Sequence, residues 1–162
     1  MDRSVSYDSI AGEYGKRYER SDYGPVLQLL LDFVEGATSG RILEVGCGTG
    51  HWLAELARAG YDVVGLDPSR NMLQAGRTRG LTPSLINGVA EALPWQGGVF
   101  ERVFCLNSFH HFSDRERFVA EARRLLAPGG GILTVGLDPH SGLDSWWIYD
   151  YFPQVIDIDK KR

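Results

Sequence analysis

The fold is decided by the stretch Arg41-Ile42-Leu43-Glu44-Val45-Gly46-Cys47-Gly48-Thr49-Gly50. Its first half is short and apolar, which predicts a buried strand, and its second half alternates glycine with other residues. Apolar residues at helical spacing follow over 51–59, so the stretch predicts a strand, a tight glycine loop and a helix. Glycines allow such a loop to approach a ligand because no Cβ stands in the way. Glycine turns are also common without any ligand, so the loop alone leaves both interpretations open.

The same alternation of strand and helix repeats along the chain. Further strands are predicted over 61–66, 84–87, 99–107 and 132–135. Helices are predicted over 25–35, 51–59, 69–79 and 114–126, the last two with Ser69 and Asp114 as N-caps. Such alternation predicts βαβ units, a parallel sheet and helices on both of its faces. The expected fold class is α/β, a Rossmann-like three-layer α/β/α sandwich with a mostly parallel sheet.

Ligands of such sheets bind outside the carboxyl ends of the strands. The glycine loop and Asp67 both follow predicted strands, so the topology predicts that they share one site. An acid at the position of Asp67 can accept hydrogen bonds from both hydroxyls of a ribose. The alternative is a helix-capping turn over Asp67, Pro68 and Ser69. Asp67 alone does not distinguish S-adenosylmethionine (SAM) from NAD.

The glycine spacing separates these two cofactors. A dinucleotide fingerprint is G-x-G-x-x-G, with the pyrophosphate at a helix N-terminus. Its third glycine would fall at His51, and the observed pattern is G-x-G-x-G. SAM has no phosphate but carries an ammonium group, which Glu44 can oppose directly or through water. Met72 can pack on an adenine, although a helical methionine is more often part of a core. A nucleotide-dependent oxidoreductase is therefore a disfavoured alternative.

Five ordered segments between residues 42 and 130 match one family pattern. They are 42–50 (ILEVGCGTG), 64–69 (VGLDPS), 88–95 (GVAEALPW), 107–112 (NSFHHF) and 124–130 (RLLAPGG). On these segments the chain resembles the class I SAM-dependent methyltransferases, in particular the small-molecule group that includes quinone-biosynthesis C-methyltransferases. The resemblance implies that SAM is the cofactor and S-adenosylhomocysteine the product.

The resemblance also implies a role for each matching segment. The SAM loop would contain Glu44, Gly46, Cys47, Gly48 and Gly50, and the ribose region Asp67, Pro68 and Met72. The adenine edge would contain Val89, Ala90 and Glu91. The region near the methyl group would contain Asn107 and Ser108, and the region near the methionine end would contain Tyr14 and Arg17.

One position departs from the pattern. The family commonly has an acid at position 89, where this chain has Val89, so that hydrogen bond to the adenine is absent or comes from the backbone.

Two adjacent histidines are candidates for acid–base chemistry. Methyl transfer mainly requires that the reactants are positioned, and a base is needed only when the acceptor must lose a proton. His110 and His111 follow the fourth predicted strand, so one can act as a base while the other packs in the core. A structural role is the more common one for such a histidine. The acceptor is expected to be a small molecule, and the sequence does not identify its attacking atom.

Bulk composition restricts the class of protein. The 162 residues are 43% hydrophobic and 23% charged, as expected of a single globular domain. A net charge of −4 argues against a nucleic-acid partner. No segment approaches a membrane span or a secretory signal, so we expect a cytoplasmic protein. The two cysteines, Cys47 and Cys105, are expected to be buried thiols, and no metal-ligand spacing is present.

The last part of the sequence leaves alternatives open. We divide the chain into a helical cap over 1–36, a Rossmann-like core over 40–138 and an aromatic segment over 139–162. The family usually has two further strands after the fifth, and the expected sheet lacks one or both of them. We expect the tail or a second copy of the chain, a homodimer, to cover the exposed edge. The short tail is either natural or the result of a truncation. An active methyltransferase is expected, and a SAM-binding module without catalysis is the alternative.

Overall fold

Five parallel strands form one sheet in the part of the chain that the structure describes. The computed structural model describes residues 11–16, 18, 22–37, 40–78 and 84–136. The strands are β1 (Arg41–Val45), β2 (Val63–Asp67), β3 (Ser84–Asn87), β4 (Phe100–Leu106) and β5 (Leu126–Val135). Their order is β3-β2-β1-β4-β5 and every pairing is parallel. The order reverses beside β1, which places a topological switch point between β1 and β4.

Helices connect the strands. They are α1 (Gly24–Val34), α2 (His51–Arg58), α3 (Arg70–Thr78) and α4 (Arg115–Leu125), with short 3₁₀ turns at Tyr14–Lys16 and Phe109–His111. Both predicted N-caps are confirmed. The Ser69 hydroxyl accepts a hydrogen bond from the Met72 amide at 3.1 Å, and the Asp114 carboxylate accepts one from the Arg117 amide at 2.8 Å. None of the described helices is long and apolar enough to cross a membrane.

The core lies on both faces of the sheet. Along β1 successive side chains point to opposite faces, so Ile42 packs in one cluster and Leu43 in the other. The first cluster joins the sheet to α1, α2 and α3, and the second joins it to α4. This arrangement confirms the predicted three-layer α/β/α sandwich. Because both faces are covered, residues 42–45 of β1 are all buried.

The predicted start of the fifth strand is wrong. The sequence predicts the preceding helix over 114–126 and the strand over 132–135. In the structure α4 ends at Leu125 and β5 begins directly at Leu126. The pairing of β4 with β5 shifts register between Phe100 and Arg102, so the glycine stretch forms a bulge inside the strand. The cap segment over 1–10, the aromatic segment over 139–162 and the strand expected at 155–159 lie outside the described residues.

An ion pair on α4 between the buried Glu121 and the partly exposed Arg124 holds the loop that follows β3. The Glu121 carboxylate is 8% exposed and accepts hydrogen bonds from the Arg124 guanidinium at 2.7 and 3.0 Å and from the Leu93 amide at 2.9 Å. Arg124 also donates to the carbonyl oxygens of Leu93 at 3.0 Å and Trp95 at 2.7 Å. Hydrogen bonds from Arg124 therefore connect two of the matching segments, 88–95 and 124–130.

The environment of Glu121 makes this connection dependent on pH. Hydrogen bonding from Arg124 is the largest influence, and despite the opposing effect of burial it lowers the pKa of Glu121 from 4.5 to about 2. A carboxyl whose pKa is lower in the folded state stabilises the fold above its unfolded pKa. That stabilisation is lost as the pH falls from about 5 towards 2.

We expect Glu121→Gln to lower the free energy of unfolding by about 2 kcal/mol at pH 7, since a buried charge-assisted network loses its anion. Urea denaturation measures this difference. The gap between the wild-type and variant proteins should narrow as the pH is lowered from 5 towards 2. Glu116→Gln, at an exposed position of the same helix, serves as the control and should change the stability by less than about 0.5 kcal/mol. A difference in the free energy of unfolding that stays constant over this pH range would contradict the stabilising role of the ionised Glu121 carboxylate.

Candidate functional site

The glycine loop that follows β1 turns through three left-handed glycines. Three glycines, Gly46, Gly48 and Gly50, have φ of +76°, +54° and +75°. Residues other than glycine rarely adopt this left-handed backbone conformation. The amides of Gly46 and Cys47 donate to the Leu66 carbonyl oxygen at 2.7 and 3.1 Å. The loop is thereby fixed to the end of β2, and α2 begins directly after it.

Asp67, the last residue of β2, binds this loop through its side chain. Its Oδ2 accepts a hydrogen bond from the Gly48 amide at 2.7 Å, and its Oδ1 accepts one from the Ser69 amide at 2.8 Å. The carboxylate is 7% exposed. The structure therefore brings together the glycine loop and the acid that the sequence assigned to one site.

Glu44 precedes the loop, and Cys47 is a loop residue whose side chain is buried. Glu44, on β1, is 1% exposed, and Cys47 packs in the core cluster shared with α2. Burial is the largest cause that raises the pKa of the Cys47 thiol, and the charges of Glu44 and Asp67 raise it further. Two carboxyl groups, those of Glu44 and Asp67, thus lie near Cys47, where a cationic ligand group would be complementary.

The end of β3 contributes a residue that sequence reasoning missed. Asn87 pairs with Asp67 across the strands, and its amide nitrogen donates to the carbonyl oxygens of Asp67 at 3.0 Å and Pro68 at 2.8 Å. Arg70 in turn donates to the Asn87 side-chain oxygen at 3.2 Å. A polar residue at the carboxyl end of a strand was the available signal. Asn87 thus fixes the turn between β2 and α3. Met72, which lies on α3, is buried.

The three residues assigned to the adenine edge have different environments. Val89 is 48% exposed, whereas Ala90 is buried against the cluster beneath α4. The Glu91 carboxylate accepts hydrogen bonds from the amide and hydroxyl of Ser113 at 2.7 and 2.8 Å and from the Asp114 amide at 3.2 Å. Glu91 is therefore bound to the start of α4 rather than directed to the glycine loop.

The end of β4 lies beside the glycine loop. Asn107 has φ of +54°, the only positive φ among the described residues other than glycine, and its amide donates to the Val135 carbonyl oxygen at 2.7 Å. The hydroxyl of Ser108, which is buried, donates to the Val45 carbonyl oxygen at 2.9 Å. Such local strain is common at functional sites. Both residues thus lie next to the loop, at the switch point.

The two candidate bases lie in the 3₁₀ turn that follows. The ring centroids of His110 and His111 are 3.9 Å apart and the rings are tilted by 50°. Both residues are partly buried at the carboxyl end of the sheet. The turn follows Ser108 directly, and Arg115 at the start of α4 donates a hydrogen bond to the His110 carbonyl oxygen at 3.4 Å.

Aromatic residues before α1 lie against the loop and the start of α2. An atom placed at the Cβ position of Gly48 would lie 3.5 Å from the Tyr14 ring. The rings of Tyr18 and His51 are stacked at 3.5 Å between centroids, with 10° between their planes. The structure thus brings Tyr14 to the loop, whereas Arg17 lies outside the described residues.

Comparison with known proteins gives one consistent family. The family model described as a methyltransferase domain matches residues 43–134. Methyltransferase GfsG of Streptomyces halstedii is 33% identical over 122 residues, which cover 71% of this chain and 44% of that protein. The demethylmenaquinone methyltransferase of Renibacterium salmoninarum is 31% identical over 133 residues, which cover 80% of this chain and 56% of that protein. The chain thus spans about half the length of these relatives.

Solved structures show the same fold. A SAM-dependent methyltransferase of Thermotoga maritima superposes with a TM-score of 0.71 at 24% identity, covering 96% of this chain and 78% of that one. At that identity the likeness shows the fold, and the family follows from the sequence matches above. With its five-stranded parallel sheet and its G-x-G-x-G loop, the chain belongs to the class I SAM-dependent methyltransferase family.

Proposed function

We propose that the carboxyl edge of the sheet around the glycine loop, Asp67 and Ser108 binds SAM, and that the protein transfers the methyl group to a small-molecule acceptor. The contact between the Asp67 carboxylate and the Gly48 amide, at 2.7 Å, is the observation that carries this proposal. It joins a backbone loop able to approach a ligand closely with an acid able to bind a ribose. The demethylmenaquinone methyltransferase among the relatives supports an acceptor of low molecular mass.

The side chains around the loop fit the chemical groups of SAM. When bound, SAM supplies a methyl group on a positively charged sulfur. The Asp67 carboxylate accepts hydrogen bonds from the ribose hydroxyls. The negative charge of Glu44 attracts the ammonium group, directly or through water. Val89, which is 48% exposed, offers apolar surface to the base, whereas Met72 is buried in the structure.

The start of α2 fits a dinucleotide less well. A pyrophosphate would occupy the N-terminus of the helix that follows the loop. That helix begins at His51, whose ring stacks on Tyr18 and lies 4.8 Å from the Trp52 ring centroid. The position of the third glycine in a dinucleotide loop is thus filled by a side chain that packs in an aromatic cluster, which supports SAM over NAD.

The acceptor is assigned to the edge beside β4. Asn107 and Ser108 close the site near the methyl group, and His110 or His111 takes the proton when the acceptor must lose one. The methyl group is then held between the glycine loop and this turn, so that positioning supplies most of the rate. A SAM-binding module without catalysis is the second candidate, and binding without turnover would identify it.

Assembly is a separate part of the proposal. β5 pairs with β4 on one side, and no strand of the described residues pairs with its other side. Proteins normally cover or pair such an edge. We assign that role to residues that follow β5 or to a second copy of the chain, which makes a homodimer. Light scattering that shows a strict monomer, with the residues after 136 disordered, would contradict both arrangements.

We expect the purified chain to bind S-adenosylhomocysteine with micromolar affinity in a calorimetric titration and to show no comparable binding of NAD. Asp67→Asn should weaken S-adenosylhomocysteine binding by about 10- to 100-fold, because charge-assisted hydrogen bonds to the ribose are lost. The control is Asp62→Asn, which alters an exposed pair with Arg41 (2.9 Å) just before the same strand. Equal affinity in both variants would contradict the assignment of Asp67, and binding of NAD alone would overturn the proposed function.

A pair of glycine variants tests how closely the loop is packed. Gly46 and Gly98 both have φ of +76°, but a Cβ at Gly46 would overlap the Ser108 side chain, whereas a Cβ at Gly98 would meet nothing within 4 Å. Alanine introduces the same backbone strain at both positions, and at Gly46 it also displaces the loop or Ser108. We expect Gly46→Ala to weaken S-adenosylhomocysteine binding at least about tenfold beyond Gly98→Ala. Equal affinity in calorimetry would show that the loop tolerates the added methyl group.

A further inference from the structure

We propose that Glu91 is a positioning residue that couples the cofactor side of the site to the turn carrying His110 and His111. This inference rests on the proposed function, because it concerns the same site. The family resemblance placed Glu91 along the adenine edge. The structure instead gives its carboxylate three partners at the start of α4, 22 and 23 positions further along the chain.

The contact with α4 is made by both the side chain and the main chain of Glu91. Its Oε1 accepts hydrogen bonds from the Ser113 amide, the Ser113 hydroxyl and the Asp114 amide at 2.7, 2.8 and 3.2 Å. Its carbonyl oxygen accepts one from the Arg117 guanidinium at 3.3 Å. The carboxylate thus lies at the N-terminus of an 11-residue helix, where a negative charge is favourable.

The titration behaviour of Glu91 agrees with this geometry. Partial burial acts to raise the pKa of the carboxyl, but hydrogen bonds from Ser113 and Asp114 outweigh it and leave the pKa below its ordinary value. Glu91 is therefore ionised at neutral pH. Its Oε1 already accepts three hydrogen bonds, so a second role as an adenine ligand through that atom would compete with them.

The segment between Ser108 and Ser113 is held at both ends. At its start the Ser108 hydroxyl binds the Val45 carbonyl oxygen at 2.9 Å, next to the glycine loop. At its end Ser113 donates hydrogen bonds to Glu91. Glu91 lies two residues after the exposed Val89. Between them the His111 amide donates to the Ser108 carbonyl oxygen at 2.9 Å, and the ring of Phe112 lies 4.7 Å from that of Phe118.

Coupling follows from this connectivity. Val89 and Glu91 belong to one loop, so a ligand that orders the loop at Val89 also orders the acceptor of the Ser113 and Asp114 hydrogen bonds. The turn bearing the histidines then becomes less mobile, because its far end is fixed to Glu91. Cofactor binding thereby prepares the acceptor side of the site through Glu91.

Hydrogen exchange on the full chain, with and without S-adenosylhomocysteine, tests the coupling. In the wild-type protein the ligand should slow exchange in the peptide that covers 109–114. In Glu91→Ala the affinity for S-adenosylhomocysteine should stay within about threefold, while exchange of the Ser113 and Asp114 amides rises about tenfold and no longer responds to ligand. Glu91→Gln should restore part of the response, since its amide oxygen can still accept a hydrogen bond.

Two controls separate coupling from general loosening. Glu116→Ala removes a carboxylate from the same first turn of α4, at an exposed position, and should leave the response to ligand intact. Ser113→Ala removes only the hydroxyl bond, so it should show an intermediate response even if Glu91→Ala does not fold.

Each alternative outcome has one meaning. A tenfold or larger loss of S-adenosylhomocysteine affinity in Glu91→Ala would make Glu91 a cofactor ligand and overturn the positioning role. Ligand-induced protection of 109–114 that persists in Glu91→Ala would overturn the coupling. A wild-type chain that does not bind S-adenosylhomocysteine would overturn the proposed function itself, and the coupling with it.

Discussion

The hydrogen bond between the Asp67 carboxylate and the Gly48 amide is the constraint on which the rest of the site depends. It connects the end of β2 to the loop after β1, and the Leu66 carbonyl oxygen reinforces this connection through the amides of Gly46 and Cys47. Because the carboxylate is nearly buried, its charge acts in a medium of low polarity, where hydrogen bonds are strong and unpaired groups are costly. The loop is therefore held in shape by the residue that is also assigned to the ribose.

The elements around the central strand were readable from the sequence, because local patterns specify them. The run Arg41–Val45 was predicted with its observed limits, and Ser69 and Asp114 cap their helices as expected. Glycine at positive φ and a short polar residue before a helix are local signals with a direct physical cause. The predicted end of α4 was wrong by one residue, and β5 starts earlier than expected because glycine can form a bulge as well as a break.

Long-range contacts were not readable in the same way. Nothing near Glu91 in the sequence indicates that its carboxylate binds Ser113, and nothing near Glu121 indicates that it binds the Leu93 amide. Both contacts depend on how the loop after β3 packs against α4, which only the folded chain specifies. The sequence thus predicted which residues collect at the edge of the sheet, whereas the polar partners of each had to come from the structure.

The burial of both cysteines has a practical consequence. Cys47 and Cys105 are 6% and 0% exposed, and burial, as the largest cause, raises the pKa of Cys105 to about 12. Only the thiolate reacts with alkylating reagents, so at neutral pH the folded protein should present almost no reactive sulfur. A single cysteine introduced on the surface could then carry a fluorophore or spin label with both native thiols left in place. Motions of the loop and of the histidine turn would become measurable by spectroscopy in an otherwise unaltered chain.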